Sequence, residues 1–186
     1  MSPRTMVFGL LSLLVLAVGA GVLRDLVAFS RGNATASHVI LIPFVTIALM
    51  YQNREAIFSS IRFAVPAGSL VILVGVGLLL AGRVSSGTTM GPQDSLSVSV
   101  AGLVVSWAGG FLLCYGREAS RVALFPLLFL GFTIPIPTAV IDGATAVLKA
   151  GSTEAVAGLF SLTGTPYFRQ GFVFSLPSFV IEVADE

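Results

Sequence analysis

The chain is predicted to be an all-α polytopic membrane protein with about five transmembrane helices. An interfacial or re-entrant helix and a short β-hairpin-like segment follow at the C-terminus. Three observations predict it. Apolar residues fill 55% of the 186 positions and charged residues only 10%, where soluble domains carry about 25% charge; the mean hydropathy is +0.98. The apolar residues gather into five stretches, to be set against the roughly 20 residues that one spanning helix needs. After the fifth stretch the pattern turns first to an interrupted helical stripe and then to aromatic and β-branched runs.

The first stretch, Met6 to Leu23, lies behind Arg4. Its small residues Ala17, Gly19, Ala20 and Gly21 also fit a cleaved signal peptide. The apolar run is long for such a signal and further spans follow, so a retained first helix is the reading adopted. The second, His38 to Tyr51, is short for a span and needs polar flanks or tilted neighbours. The third is Ala64 to Ala81, the fourth Leu96 to Tyr115 and the fifth Val122 to Ile136. In the fourth, Gly102, Ser106 and Gly110 stand four apart, which predicts one helix face that a neighbour approaches closely. Pro126, Pro135 and Pro137 are expected to kink or end the fifth span.

Basic residues in short loops set orientation. With the N-terminus inside, Arg4, Arg54, Arg62, Arg117 and Arg121 fall on the cytoplasmic side, and Arg24, Arg31 and Arg83 on the other. Five against three favours that arrangement. It predicts a multi-pass protein of the cytoplasmic (inner) membrane whose residues 138–186 lie on the outer face. Thr138 to Leu162 reads as a helix, interrupted by Gly143, Gly151 and Gly158, that lies at the interface or re-enters the membrane. From Tyr167 the residues predict two short strands about a turn at Pro177. Residues 1–186 are taken as a single membrane domain.

Composition also excludes. A net charge of +1 without a basic cluster gives no nucleic-acid partner. A single cysteine, Cys114, permits no intrachain disulfide and no multi-cysteine metal site. A single histidine, His38, makes a zinc site improbable. No cofactor and no metal are predicted.

The remaining chemistry is sparse. Cys114 follows Leu112 and Leu113 in an apolar span, which describes a buried small hydrophobe better than an activated thiol. His38 reads as a polar entry residue of the second span, with Ser37 as its cap. Arg117, Glu118 and Arg121 form a surface loop in which Glu118 reaches Arg121 at i,i+3. Glu182, Asp185 and Glu186 are carboxylates with no base nearby in sequence, so catalysis by them alone is not expected.

Four segments occur in an order that resembles the exosortase/archaeosortase family. Ser37-His38-Val39 with Leu41-Ile42-Pro43 is similar to an early Ser-His-Gly stretch leading into Leu-Pro, with Val39 in place of the usual glycine. Phe125 to Leu130 and Ile134-Pro135-Ile136-Pro137 resemble the family's mid-chain motif. Gly164-Thr165-Pro166, Arg169 and Gly171 match its Gly-x-Pro-x-x-Arg-x-Gly-like segment, and Ile181 to Glu186 resembles the lead-in to its Cys-Ser-Gly motif.

The resemblance implies a membrane cysteine peptidase/transpeptidase that processes C-terminal sorting signals of secreted proteins, typically Pro-Glu-Pro in bacteria. Its partners would be those secreted proteins and the lipid bilayer. It also implies a nucleophile in the Cys-Ser-Gly motif and supporting arginine and histidine beyond it. Neither Cys114 nor His38 matches those positions, so no catalytic residue is carried over. The expectation is a fragment, or less favoured a degenerate non-catalytic homologue, inactive by itself. A structural membrane protein leaves the outer β-like segment unexplained. A small-solute transporter subunit would need ionisable residues inside its spans, and the charges sit at their ends.

Overall fold

The computed structural model describes residues 3–32, 39–58, 63–87, 89–176 and 179–183. His38, Ser37, Arg62, Pro177, Asp185 and Glu186 lie outside the described residues. The chain divides into two compact units, Met1–Ile136 and Pro137–Glu186.

Among its described residues the first unit is mainly helical: α1 (Pro3–Val18), α2 (Ala20–Gly32), α3 (Ile42–Gln52), α4 (Arg54–Ile57), α5 (Val65–Ser85), α6 (Pro92–Val122) and α7 (Leu124–Leu130), with a 3₁₀ turn Gly131–Thr133. Its centre is α6, half of whose most apolar stretch is buried against 22% for α5. The two run antiparallel along a seam of small residues. Gly68, Gly75 and Gly82 recur every seven residues on α5. A Cβ on Gly75 would overlap Ser106, one on Gly82 would overlap Ser99, and one on Gly68 would overlap Leu113. From the other side, a Cβ on Gly102 would strike the backbone of Leu79, and one on Gly109 would lie 2.8 Å from the Ile72 nitrogen.

Lipid offers no hydrophobic drive for helix association, so this backbone approach and its dispersion contacts are what join the pair. Two of the seam serines, Ser95 and Ser99, are satisfied within their own helix. Ser99 donates to the Ser95 carbonyl at 2.8 Å and Ser95 to that of Pro92 at 2.9 Å. The predicted face of Gly102, Ser106 and Gly110 is therefore corrected by one residue. Gly109 faces α5, whereas a Cβ on Gly110 would meet Leu11 of α1.

On its opposite side α6 holds α1 through an aromatic cluster. The Phe8 ring lies 5.4 Å from Trp107, 5.8 Å from Phe111 and 5.3 Å from Tyr115. Trp107 Nε1 donates to Ser12 Oγ at 3.1 Å, which satisfies the one polar atom of the indole away from water.

Four of the five expected spans come out differently from their apolar stretches. The first does not run straight from Met6 to Leu23: α1 and α2 meet at Gly19 with a bend of 65°. Leu103 packs where a Gly19 side chain would stand, and Arg83 Nη2 donates to the Val18 carbonyl at 2.9 Å. The second contains only α3, 11 residues or about 16 Å of helix. The fourth is longer than expected because α6 begins at Pro92, but it breaks at Gly116 (φ 87°, ψ 179°), one residue beyond the predicted end. The fifth is α7 and the 3₁₀ turn. Pro126 sits in the first turn of α7, where a missing N–H costs nothing, and Pro135 and Pro137 follow the helical residues. Among the described residues α5 and α6 are long and apolar enough to cross a membrane. Up to four crossings result if two bent pairs, α1 with α2 and Leu124–Thr133 with Thr138–Thr163, each count as one. Five are not found.

The second unit consists of α8 (Thr138–Thr163) and three short strands, β1 (Phe168–Gln170), β2 (Val173–Ser175) and β3 (Val180–Glu182), in one antiparallel sheet of order β1-β2-β3. Despite its three internal glycines α8 is continuous. Three strands replace the two expected. The run from Tyr167 to Ser175 is folded on itself at Gly171-Phe172, with Gln170 paired to Val173. Gly171 has φ 61° while Phe172, like every other described non-glycine residue, does not have positive φ, the combination of a two-residue II′ hairpin turn.

Candidate functional site

The second unit explains its own motif residue by residue. Gly164 ends α8 in the left-handed conformation (φ 67°). The Thr165 N–H bonds the Phe160 carbonyl at 3.0 Å and the Gly164 N–H that of Ser161 at 3.4 Å, the paired bonds of a Schellman cap. Pro166 then stops the helix from resuming. Arg169, on β1, reaches back to α8. Its Nη1 donates to Glu154 Oε1 at 2.8 Å and its Nε to the Gly171 carbonyl at 2.9 Å. The guanidinium also lies over the Phe174 ring, 5.9 Å from its centroid. One side chain thus ties helix, hairpin turn and sheet.

Phe174 is fully buried and packs against Phe160 (5.7 Å) and Tyr167 (5.6 Å). Thr153, also buried, returns its hydroxyl to the Lys149 carbonyl at 2.7 Å. Lys149 Nζ stands 4.7 Å from the Phe172 ring centroid. The unit is a frame that holds β3 extended, with Val183 N bonded to the Phe172 carbonyl at 3.1 Å immediately before the segment 184–186. Glu182 is exposed on β3, and Asp185 and Glu186 lie outside the described residues.

Arg169→Lys is expected to destabilise this unit by about 1 kcal/mol. An ammonium cannot bond Glu154 and the Gly171 carbonyl in the same fork geometry. Glu154 is mostly exposed, so most of the effect comes from the turn carbonyl rather than from the ion pair. Limited proteolysis of residues 137–183 across a temperature series reads it; unchanged protection would contradict the clamp.

In the first unit, Cys114 is fully buried among Phe111, Tyr115, Ala119, Ala123 and Ile57. Arg121 Nη1 and Glu118 Oε1 pair at 3.6 Å, both well exposed, as their i,i+3 spacing predicts; such a pair adds little stability. At the other end of α6 opens a cleft of about 780 Å³, whose largely apolar walls also carry Asp25, Arg83, Ser86, Gln93, Ser95 and Ser99. Gln93 Nε2 also donates to the Ile136 carbonyl at 2.9 Å, so the last residue of the first unit is held at this end of the bundle. Gln93 and Cys114 are 21 residues apart on α6, or about 32 Å along a helix.

Sequence reasoning missed the cleft. Arg83 entered only as an outer-loop charge. Among the described residues no cluster of three or more His, Cys, Asp or Glu could hold a metal ion.

A family model, described as Transmembrane exosortase (Exosortase_EpsH), matches residues 29–186. Searches of curated proteins and of solved structures find no match.

Proposed function

The chain belongs to the transmembrane exosortase family, and from that premise we propose that it engages C-terminal sorting signals of secreted proteins at the outer face of the cytoplasmic (inner) membrane. The observation that carries this reading is the extent of the family match, which runs through α8, the hairpin and β3 to residue 186. The N-terminus lies inside, in keeping with five basic residues against three in the short loops.

In this reading β3 is the part of the second unit that meets an extended peptide. It is an edge strand, and edge strands offer unpaired backbone groups to a peptide. In this reading Cys114 is not the nucleophile of peptide cleavage. Cys114 is fully buried, about 32 Å of helix from the end where Ile136 is held, so it serves packing. In this reading the signal is bound at β3, and no cutting is assigned to Cys114.

A photo-crosslinking residue at Phe179 or Val180, both exposed, tests this in membranes that also hold a secreted reporter ending in a Pro-Glu-Pro signal. A crosslink that needs the signal, is absent from a probe at lipid-facing Leu73, and leaves the reporter at full length is expected. Signal-independent or absent crosslinking would refute the substrate. A shortened reporter that disappears in Cys114→Ser would refute the role given to Cys114.

A further inference from the structure

Next to the cleft along α5 and α6 lies a narrower groove of about 120 Å³, lined almost wholly by apolar side chains of α1, α5 and α6. On two of the walls the cavities are one helical turn apart: Leu79 gives way to Gly82 on α5, and Leu103 to Ser99 on α6. The third wall changes from α1 to α2 across the bend at Gly19. At the junction stands Arg83, hydrogen-bonded to the Val18 carbonyl and lining the wider half. Asp25 lines that half too. In the apolar half Ser106 is buried, and its hydroxyl has no hydrogen-bond partner.

We propose that this groove binds one phospholipid with a zwitterionic headgroup, its phosphate at Arg83 and one acyl chain along Val76, Leu79 and Leu103. The site is wide at the end that carries Arg83, Asp25 and Gln93, and narrow and almost wholly apolar at the other, which are the proportions of a headgroup and a single chain. Both halves lie on α5 and α6, the two helices that can each span a membrane, so a bilayer lipid reaches the groove sideways. The Val18 carbonyl takes one Arg83 donor, and a guanidinium has five in a fork suited to phosphate. Asp25 adds the opposite charge in the same cleft, which favours a headgroup carrying a cation beside its phosphate and disfavours one with excess negative charge.

The test uses the full chain, purified in detergent and stripped of lipid. Native mass spectrometry and thermal unfolding are then read with three probes. These are dioleoyl-phosphatidylethanolamine, dioleoylglycerol (the same chains without phosphate) and glycerophosphoethanolamine (the headgroup without chains). Retention of one phosphatidylethanolamine, at least tenfold tighter than either partial probe, is expected. Arg83→Gln and, independently, Val76→Trp in the apolar half should each weaken it at least tenfold. Asp25→Asn should shift preference towards phosphatidylglycerol. Equal retention of dioleoylglycerol would show that no headgroup is read, and equal binding of the free headgroup that no chain is. Retention unaffected by Val76→Trp in a folded protein would reduce the groove to ordinary annular contact.

Discussion

Gly75→Leu is expected to separate α5 from α6 and cost the first unit about 3 kcal/mol or more, the upper range for forcing bulk into a packed interior. A Cβ alone at this position overlaps Ser106 Oγ and the Ser106 nitrogen, and approaches the Gly102 carbonyl at 2.8 Å. Two of these three are backbone atoms of a helix that cannot give way locally. The helices would have to move apart along the seam, loosening Gly68 against Leu113 and Gly82 against Ser99 together. Because membrane helices associate through close packing and not through water exclusion, nothing compensates for that separation. Gly77, two residues on, provides the control, since a Cβ there meets nothing within 4 Å. Gly77→Leu should leave the thermal midpoint in detergent within about 1 °C, while Gly75→Leu lowers it by many degrees or prevents accumulation in membranes. Equal behaviour of the two variants would mean that the seam does not hold the pair.

The seam also shows what was legible in the sequence. Hydropathy alone locates α5 and α6, because a long uncharged apolar run has few alternatives. The break at Gly116 falls beside the Arg117, Glu118 and Arg121 cluster, so the end of the fourth apolar stretch was readable from where charges resume. The glycines at 68, 75 and 82 were equally visible as a seven-residue repeat, but a repeat does not say what it faces. A strict four-residue spacing chose Gly110 over Gly109 because it ignores the closer-to-3.5-residue period of two packed helices.

Longer-range effects left no local trace. The bend at Gly19 is accompanied by a bond from Arg83, 65 residues away, and by Leu103 occupying the space beside it. A hydropathy window contains neither. The third strand was hidden for the opposite reason: Gly171-Phe172 needs only two residues to reverse the chain, so the run around it still reads as one strand. The motif around Gly164, Arg169 and Gly171 was found by resemblance, and only the structure shows that it caps α8, clamps the hairpin and turns it.

Phe174→Ala is expected to unfold the second unit while leaving the first intact. The unit has 50 residues, a size at which a hydrophobic core supplies only a few kcal/mol of net stability. Among its described residues Phe174 is the one large hydrophobic side chain with no exposure. It is touched by Phe160 from α8, by Tyr167 and by the Arg169 guanidinium. Truncating a buried phenylalanine costs about 3–5 kcal/mol, comparable to everything such a unit has. Loss of this ring also removes the surface on which Arg169 rests, so the clamp and the core fail together. Rapid proteolysis after residue 137 is expected, leaving a resistant piece of about the first 136 residues in the membrane with its thermal transition unchanged. Phe168→Ala, on an exposed ring of the same hairpin, should show neither effect. If Phe174→Ala left residues 138–183 as protected as the parent protein, the aromatic trio would not be their core. The extended presentation of β3, on which the proposed engagement of sorting signals depends, would then need another support.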